Sequence, residues 1–444
     1  MRHALRLAAL VALLALGARA STADETVAQG SYQFASGYSS ELQLPLLQVD
    51  GALQLRWPES APARWDTALL GVQIASAGAE PWVEISAGTA SVLQYLDPQA
   101  LGLRWLNLSA LHDQLRAATT LSLRAHDLAL APGAATLQIF ANGLDLRGTI
   151  LVIAPHPDDA EIAAFGLYAD RKATIVTLTA GNAGEMNYRA QVSDPASHYL
   201  MKGYLRAVDS VTVPWQGGIP PERSYNLGYF DGRLDSMYKA PQQVFPEMYG
   251  PNTDVAPYRR ANLSTLLPRG SRQNSWRNLV EDLTAILRKV HPDIIVMPDP
   301  RLDAHADHEY AAVAVTEAMA RWHGAVSFLL YTNHAGGDHF PYGPAGTVQS
   351  LPPTAATLTL QRVYSHPTDN ALQTRKLFAM EAMHDLRPAP TEQANCTSAE
   401  AAARADFPRI PSVDYFRRGL RSNELFLVFD LAGLRTLISG FLAH

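Results

Sequence analysis

One cysteine, Cys396, stands in 444 residues. No intramolecular disulfide can form, and a cysteine-rich zinc site is excluded, so any metal must be held by histidine and carboxylate. Positive charge is also short: 36 lysines and arginines face 42 aspartates and glutamates, a formal net charge of -6. Nothing in that balance gives a reason to expect nucleic acid, which needs a basic face. No internal repeat or low-complexity tract occurs. No apolar run is long enough to span a bilayer. Leu7 to Leu16 follows Arg2, His3 and Arg6 and precedes Ala18-Arg19-Ala20. That layout reads as a secretory signal peptide over residues 1–23, with Ser21-Thr22-Ala23 as an equally good cleavage point, and it predicts export to a periplasmic or extracellular location.

What is present is ordinary in bulk, 47% apolar and 18% charged, on a chain long enough for two or three well-cored domains. Texture divides it. Residues 30–147 hold short alternating runs, among them Ala52 to Trp57, Trp82 to Ile85 and Thr136 to Phe140, with Gly, Pro, Ser and Asp between them. This predicts an antiparallel β-sandwich, with one helix at Leu108 to Thr120. Trp57, Trp65, Trp82 and Trp105 would be core aromatics or sugar-stacking faces. From residue 148 to about 430, strand-like runs alternate with helices, as at Thr174 to Thr179 and the amphipathic Trp276 to Val290, which implies a parallel sheet. Tyr188 to Arg272 shows little periodicity and reads as substrate-shaping loop. Residues 431–444 read as a terminal helix docked on that domain.

Chemistry gathers after two of the apolar runs. Leu151-Val152-Ile153-Ala154 leads into His156-Pro157-Asp158-Asp159-Ala160-Glu161, and Asp293 to Pro298 leads into Asp303-Ala304-His305-Ala306-Asp307-His308. Loops at the carboxyl ends of parallel strands are where such sheets hold ligands. His366-Pro367-Thr368-Asp369 looks similar, but with no strand leading into it and no second carboxylate it reads as a turn.

The two motifs together resemble the PIG-L/LmbE-like family of zinc-dependent N-acetylglucosamine deacetylases. His156 to Glu161 corresponds to its His-Pro-Asp-Asp-x-Glu motif, and His305 to His308 to its His-Pro-Asp-His motif, with Ala306 in place of proline. Val176 to Gly184 is similar to its Thr-x-Gly-Glu-x-Gly loop, with Asn182 where glutamate is usual. Asp231-Gly232-Arg233-Leu234 is similar to its Asp-Gly-x-Leu element, and Lys376 to His384 to its late helix. The resemblance implies a Rossmann-like, mostly parallel sheet over residues 148–430.

Three ligands and one open position make a catalytic zinc site, and His156, Asp159 and His308 are the positions the family uses. Zn2+ is the expected ion, although His and Asp ligands accept other divalent metals. Asp158 is then free to act as general base, its family role, and a protonated His305 would stabilise the oxyanion and protonate the leaving amine. Asp307, or alternatively Asp303, would orient a histidine. Glu161 would cap its helix, orient His156 or approach the metal from outside. Asn182 and Asp231 are candidates for sugar hydroxyls through the resemblance. The family's substrate arginine has no clear counterpart, which leaves Arg206 or Arg189. The expectation is an exported de-N-acetylase acting on an N-acetylated sugar or glycoconjugate. The rivals are an amidase for another acyl group and a glycan-binding protein whose metal site has decayed.

Overall fold

The computed structural model describes residues 31–264, 272–324, 326–335, 339–386 and 415–443. The expected signal peptide and Cys396 lie outside them. The protein is mixed α/β, with two seven-stranded sheets and one small two-stranded sheet.

After β1 (Tyr32–Phe34), the antiparallel sheet is built from β2 (Ser40–Val49), β3 (Ala52–Arg56), β4 (Thr67–Ala87), β5 (Ala90–Tyr95), β6 (Gly102–Asn107), β7 (Thr120–Leu130) and β8 (Gly133–Phe140). It is barrel-like, which corrects the expected sandwich. β4 pairs with both β7 and β8, and β8 pairs with β2, so β4, β7, β3, β2 and β8 close on themselves. One element makes the closure possible. β4 is 21 residues long and breaks register against β7 between Ile74 and Ser76 and again between Ala77 and Trp82. Such irregularities bend and twist a strand enough to reach partners on both sides. The leucines and valines that alternate along these strands fill the interior, among them Leu44, Leu53, Leu70, Val83, Leu121 and Leu137.

The expected helix at Leu108 to Thr120 is also corrected. Only Ser109–Leu111 is helical, as a single 3-10 turn, and Thr120 already begins β7. Leu111 and Leu115 have helical spacing because both cover the barrel core, which the intervening turns achieve equally well. Trp57 and Trp105 are core residues. Trp65 packs on Trp57 and His112, and Trp82 stacks on His126 with ring centroids 3.6 Å apart.

The second large sheet contains β9 (Ile150–Ala154), β10 (Ala173–Thr179), β11 (Ser224–Tyr229), β12 (Ile294–Pro298), β13 (Ser327–Tyr331), β15 (Arg362–Pro367) and β16 (Asn423–Phe429). Its order is β11-β10-β9-β12-β13-β16-β15. The first five strands are parallel, and β16 runs antiparallel to both its neighbours. The continuous apolar runs are explained by helices on both faces. Ile150, Val152 and Ala154 of β9 enter one core, while Leu151 and Ile153 enter the other. β9 leads outward to β10 and β11, and β12 leads the opposite way to β13. The strand order therefore reverses between β9 and β12, and a crevice opens beyond their carboxyl ends.

Three further findings bear on the sequence reading, and the first two alter it. The segment expected to be irregular holds an 18-residue helix, Pro195–Thr212, as well as β11. Asp194 caps that helix by accepting from Ser197 N, and Pro195 occupies its first position. A strand does lead into the His366 motif: His366 lies inside β15, buried, with its ring beside the Tyr364 hydroxyl and the Gly166 carbonyl. Asp369 caps the helix Asn370–Ala382 by accepting from Leu372 N. Finally, the helix Leu431–Leu442 packs Leu434, Leu437 and Ile438 into the same core as β9. No helix among the described residues is long and apolar enough to cross a membrane.

The two large sheets are joined by buried contacts. Phe140, Leu69 and Trp105 of the barrel belong to the core that contains Ile153 and Ile295. β1 pairs in parallel with β14 (Leu358–Leu360), and Asn107 and Asn142 of the barrel donate to Ser365 Oγ and the Val363 carbonyl of β15.

Candidate metal centre and active site

The two motifs meet at the crevice between β9 and β12. Pro155 and His156 follow β9 directly, and Asp159 opens the helix Asp159–Tyr168. His305 caps the helix Ala306–Met319, its Nδ1 accepting from Asp307 N at 3.2 Å, and His308 lies in the first turn. The chain reversal at each strand end thus brings together side chains 152 residues apart.

His156 Nδ1, Asp159 Oδ2 and His308 Nε2 form a nearly equilateral triangle, with edges of 3.2 Å between the imidazoles, 3.3 Å from His156 to Asp159 and 3.1 Å from His308 to Asp159. A tetrahedral ion with ligands at about 2.0–2.1 Å separates its ligand atoms by about 3.3 Å. The donor set and its spacing therefore fit a divalent cation. His305 lies close enough to share a potential ligand cluster with His156 and His308.

Each ligand is oriented from behind. His156 Nε2 lies 3.2 Å from Asp307 Oδ2 and 3.3 Å from Asp231 Oδ1. His308 Nδ1 lies 3.0 Å from Asp303 Oδ2. A proton on those outer nitrogens leaves the inner lone pairs aimed at the centre of the triangle. Asp307 and Asp303 thus both orient a histidine, one each. Asp307 is fixed in turn by Gly232 N and Leu234 N, at 2.7 and 3.1 Å.

The electrostatics follow from this geometry. Burial works to lower His156, but Asp231, Asp159 and Asp307 outweigh it and hold the ring well above the ordinary imidazole value. Burial opposes charge on His308 too, yet Asp159 and Asp303 carry it up to about 10. Burial would raise Asp159, but His308 and His156 keep it well below the carboxylate range. A cation in the triangle would replace those imidazole protons. His305 differs: burial and the two neighbouring imidazoles push it down to about 4. That direction favours the uncharged ring, whose Nδ1 accepts from Asp307 N.

Asp158 stands beside the triangle with a backbone φ of 120°. Non-glycine residues seldom adopt that region, and strained backbone concentrates at functional sites. Burial raises Asp158 to about 7 despite the opposing charge of Arg206. Arg206 reaches in from the helix Pro195–Thr212. Its Nη2 donates to Asp158 Oδ2 at 3.0 Å and to the Pro157 carbonyl at 2.9 Å, and its Nη1 donates to the Gly181 carbonyl and pairs with Asp385. Gly181 has φ of 65°, and a Cβ there would lie 2.5 Å from Arg206 Nη1, so the residue must be glycine.

The other residues named from the sequence are placed differently from one another. Asp231 faces His156 and approaches Arg206 to 4.0 Å. Asn182 is buried and internally occupied: its Oδ1 accepts from Asp231 N, and its Nδ2 donates toward Glu247 and the Tyr258 hydroxyl. Its polar atoms serve the loop. Glu161 accepts from the Tyr168 hydroxyl at 2.9 Å and is pushed by burial up to about 8, a neutral carboxyl in an apolar layer. Arg189 is exposed on a turn. His384 pairs with Asp209.

Three participants escaped the sequence reading. Asn333 donates to Asp159 Oδ1 at 2.8 Å through its side chain and to Asp303 Oδ2 at 2.9 Å through its backbone, tying the supports of two ligands together. His334 follows, its ring centroid 4.8 Å from that of His308 and 5.5 Å from that of His305. Asp385 braces Lys202 and Arg206. The signal for the first two was available, since Asn333 and His334 follow the apolar run of β13 as His156 follows β9.

Fold and site together define a class: a doubly wound sheet carrying a His–Asp–His cation cradle at its switch point, with a second carboxylate beside it. Residues 151–319 match the family model PIG-L, described as GlcNAc-PI de-N-acetylase. No curated protein matches the chain. Similar solved structures include GalB, the 4-carboxy-2-hydroxymuconate hydratase from Pseudomonas putida KT2440, at 13% identity over 54% of this chain and 79% of that one, with a TM-score of 0.31. The acetyl xylan esterase Est2A from Butyrivibrio proteoclasticus shares 12% identity over 68% of this chain and 88% of its own, with a TM-score of 0.18. A family two carbohydrate esterase from Cellvibrio japonicus shares 12% identity over 79% and 98%, with a TM-score of 0.16.

Proposed function

We propose that the protein is an exported, zinc-dependent hydrolase that removes N-acetyl groups from N-acetylated amino sugars or their conjugates. The observation that carries this reading is the triangle of His156 Nδ1, Asp159 Oδ2 and His308 Nε2 with the Asp158 carboxylate alongside. His156, Asp159 and His308 would hold the ion, which when bound polarises a carbonyl and makes water acidic enough to supply hydroxide near neutral pH. Asp158 takes the proton released as water attacks the acetamide carbon. The His305 Nε2–H donates to the oxygen as it gains negative charge, a contact worth roughly 3–4 kcal/mol in sites of this kind. When the C–N bond breaks, the proton on Asp158 passes to the departing nitrogen, giving acetate and a free amine. A neutral His305 is a poor acid for that last step, which favours Asp158 as carrier in both directions. Arg206 holds the Asp158 carboxylate in place and Asp231 holds His156.

Metal content and acetate release, measured together on wild type, Asp158→Ala and His308→Ala, test the reading. The expected pattern is metal with turnover in wild type, metal without turnover in Asp158→Ala, and neither in His308→Ala. Metal-loaded wild type that releases no acetate from any N-acetylhexosamine compound overturns it. Export rests on the first 23 residues alone. A mature terminus following Ala20 or Ala23 in protein recovered outside the cytoplasm supports it, and retention of residues 1–23 there refutes it.

A further inference from the structure

A stacked tyrosine pair borders the loop that follows β10. Tyr199 lies buried on the helix Pro195–Thr212, and Tyr249 covers it with ring centroids 3.9 Å apart and planes inclined by 12°. The Tyr199 hydroxyl donates to the Gly184 carbonyl in the loop that follows β10. Tyr249 is held from its own side by a turn, closed where Glu247 N donates to the Asn252 carbonyl. Arg233 pins the entrance of that turn through the carbonyls of Pro246 and Glu247. The Glu247 side chain anchors it beneath, on Asn182 and Tyr258.

The neighbour Met248 lies over Gly232, where a Cβ would come within 2.6 Å of its Cε. Gly232 is the residue after Asp231 and donates to Asp307, so this turn forms a wall continuous with the metal centre. Met248 and Tyr249 are each 40% exposed, and Leu200, next to Tyr199, is 36% exposed. One face of Tyr249 is covered by Tyr199. The ring is thus partly exposed and fixed in place, and exposed apolar surface beside a polar site is where ligands are received.

Given the de-N-acetylase reading above, on which this depends, we propose that Tyr249, backed by Tyr199 and flanked by Met248, is a stacking platform for the sugar residue adjacent to the one that carries the acetamide. A pyranose ring offers C–H groups on its face and hydroxyls on its edge, which suits an aromatic face bordered by polar backbone. The substrate class is therefore an oligosaccharide or longer glycan, not a free monosaccharide.

The test uses the full metal-loaded chain with N-acetylglucosamine and its β-1,4-linked dimer to tetramer. Binding is measured by calorimetry on the Asp158→Ala background, and kcat and KM on the wild-type background. Tyr249→Ala should lower the ratio of tetramer to monomer kcat/KM by about tenfold, through KM, with tetramer affinity weakened by a similar factor. Tyr249→Phe and Tyr249→Trp should keep the preference, since each retains a ring, and Trp215→Ala, at an exposed aromatic in a different element, should not alter it. Equal affinity for monomer and tetramer in the parent protein overturns the platform, as does a Tyr249→Ala effect that is the same for both ligands. Tetramer binding that depends on the Tyr249 ring, without acetate release from any of these sugars, would uphold the platform while refuting the de-N-acetylase reading.

Discussion

Asp158 and Asp159 are adjacent in the chain and opposite in chemistry. Asp159 faces two imidazoles and is held well below the carboxylate range, while burial carries Asp158 up to about 7. In the proposed reaction the ionised form of Asp158 is the base, so kcat/KM should rise with pH through its pKa, and a cation bound alongside would move that limb lower. The guanidinium of Arg206 lowers the same pKa. Arg206→Ala should therefore shift the ascending limb of the pH–rate profile to higher pH and reduce the plateau, and a limb that stays in place would show that Arg206 does not position Asp158. Asp303 touches no reacting atom and acts through His308. Asp303→Asn should cost about 10–100-fold in metal affinity, read by competition with a chelating dye, whereas Asp158→Asn should leave that affinity intact and reduce kcat by about 10²–10⁴-fold. At this scale the sequence supplied the residue types and, through the family resemblance, the roles proposed for them. It did not reveal that burial and two imidazoles push the His305 pKa down, that Asn182 is bonded internally or that Asn333 links Asp159 to Asp303, because each depends on neighbours from other strands.

Among elements, β9 and β12 were legible because both faces are buried, which demands an unbroken apolar run. The helix Trp276–Val290 was legible for the opposite reason: Leu279, Val280, Leu283, Ile286 and Leu287 face the core, and the other side is wet. The helix Pro195–Thr212 was not. Its core-facing side presents His198, Lys202, Arg206 and Asp209, polar groups buried against partners such as Asp385 and His384, so the apolar stripe that marks a helix is interrupted. Only the end of β4, Trp82 to Ile85, was read, because its length and irregular pairing break a simple alternation. Since β9 both fills a core and carries His156, Ile153→Ala should destabilise the fold by roughly 2–5 kcal/mol. Calorimetry and metal titration on that variant should show a lower Tm together with weakened metal binding. A lower Tm with wild-type metal affinity would separate the strand from the site it carries.

For the whole molecule, the barrel and the doubly wound sheet share a core. Trp105 and Phe140 pack in the cluster that contains Ile153, and Asn107 and Asn142 donate into β15. We propose that residues 30–147 and 148–430 form two architectural parts of one cooperative unit. The full chain should then unfold in a single calorimetric transition, and Trp105→Ala should destabilise both parts together by about 3–5 kcal/mol. Two resolved transitions, with only the first moved by Trp105→Ala, would show that the barrel is an independent module.

Local facts were readable along the chain: which runs are buried strands, and which loops carry histidine and paired carboxylates. Those follow from side-chain chemistry and from periodicities of two and 3.6, which require nothing beyond neighbouring residues. Tertiary structure decided the rest. Closure of the barrel depends on β4 finding β8, the triangle of ligand atoms depends on the strand order reversing between β9 and β12, and protonation depends on which carboxylates arrive beside each imidazole. The physical reason is the same in each case: burial and charge act over a few ångströms of space, and the groups that share that space are far apart along the chain.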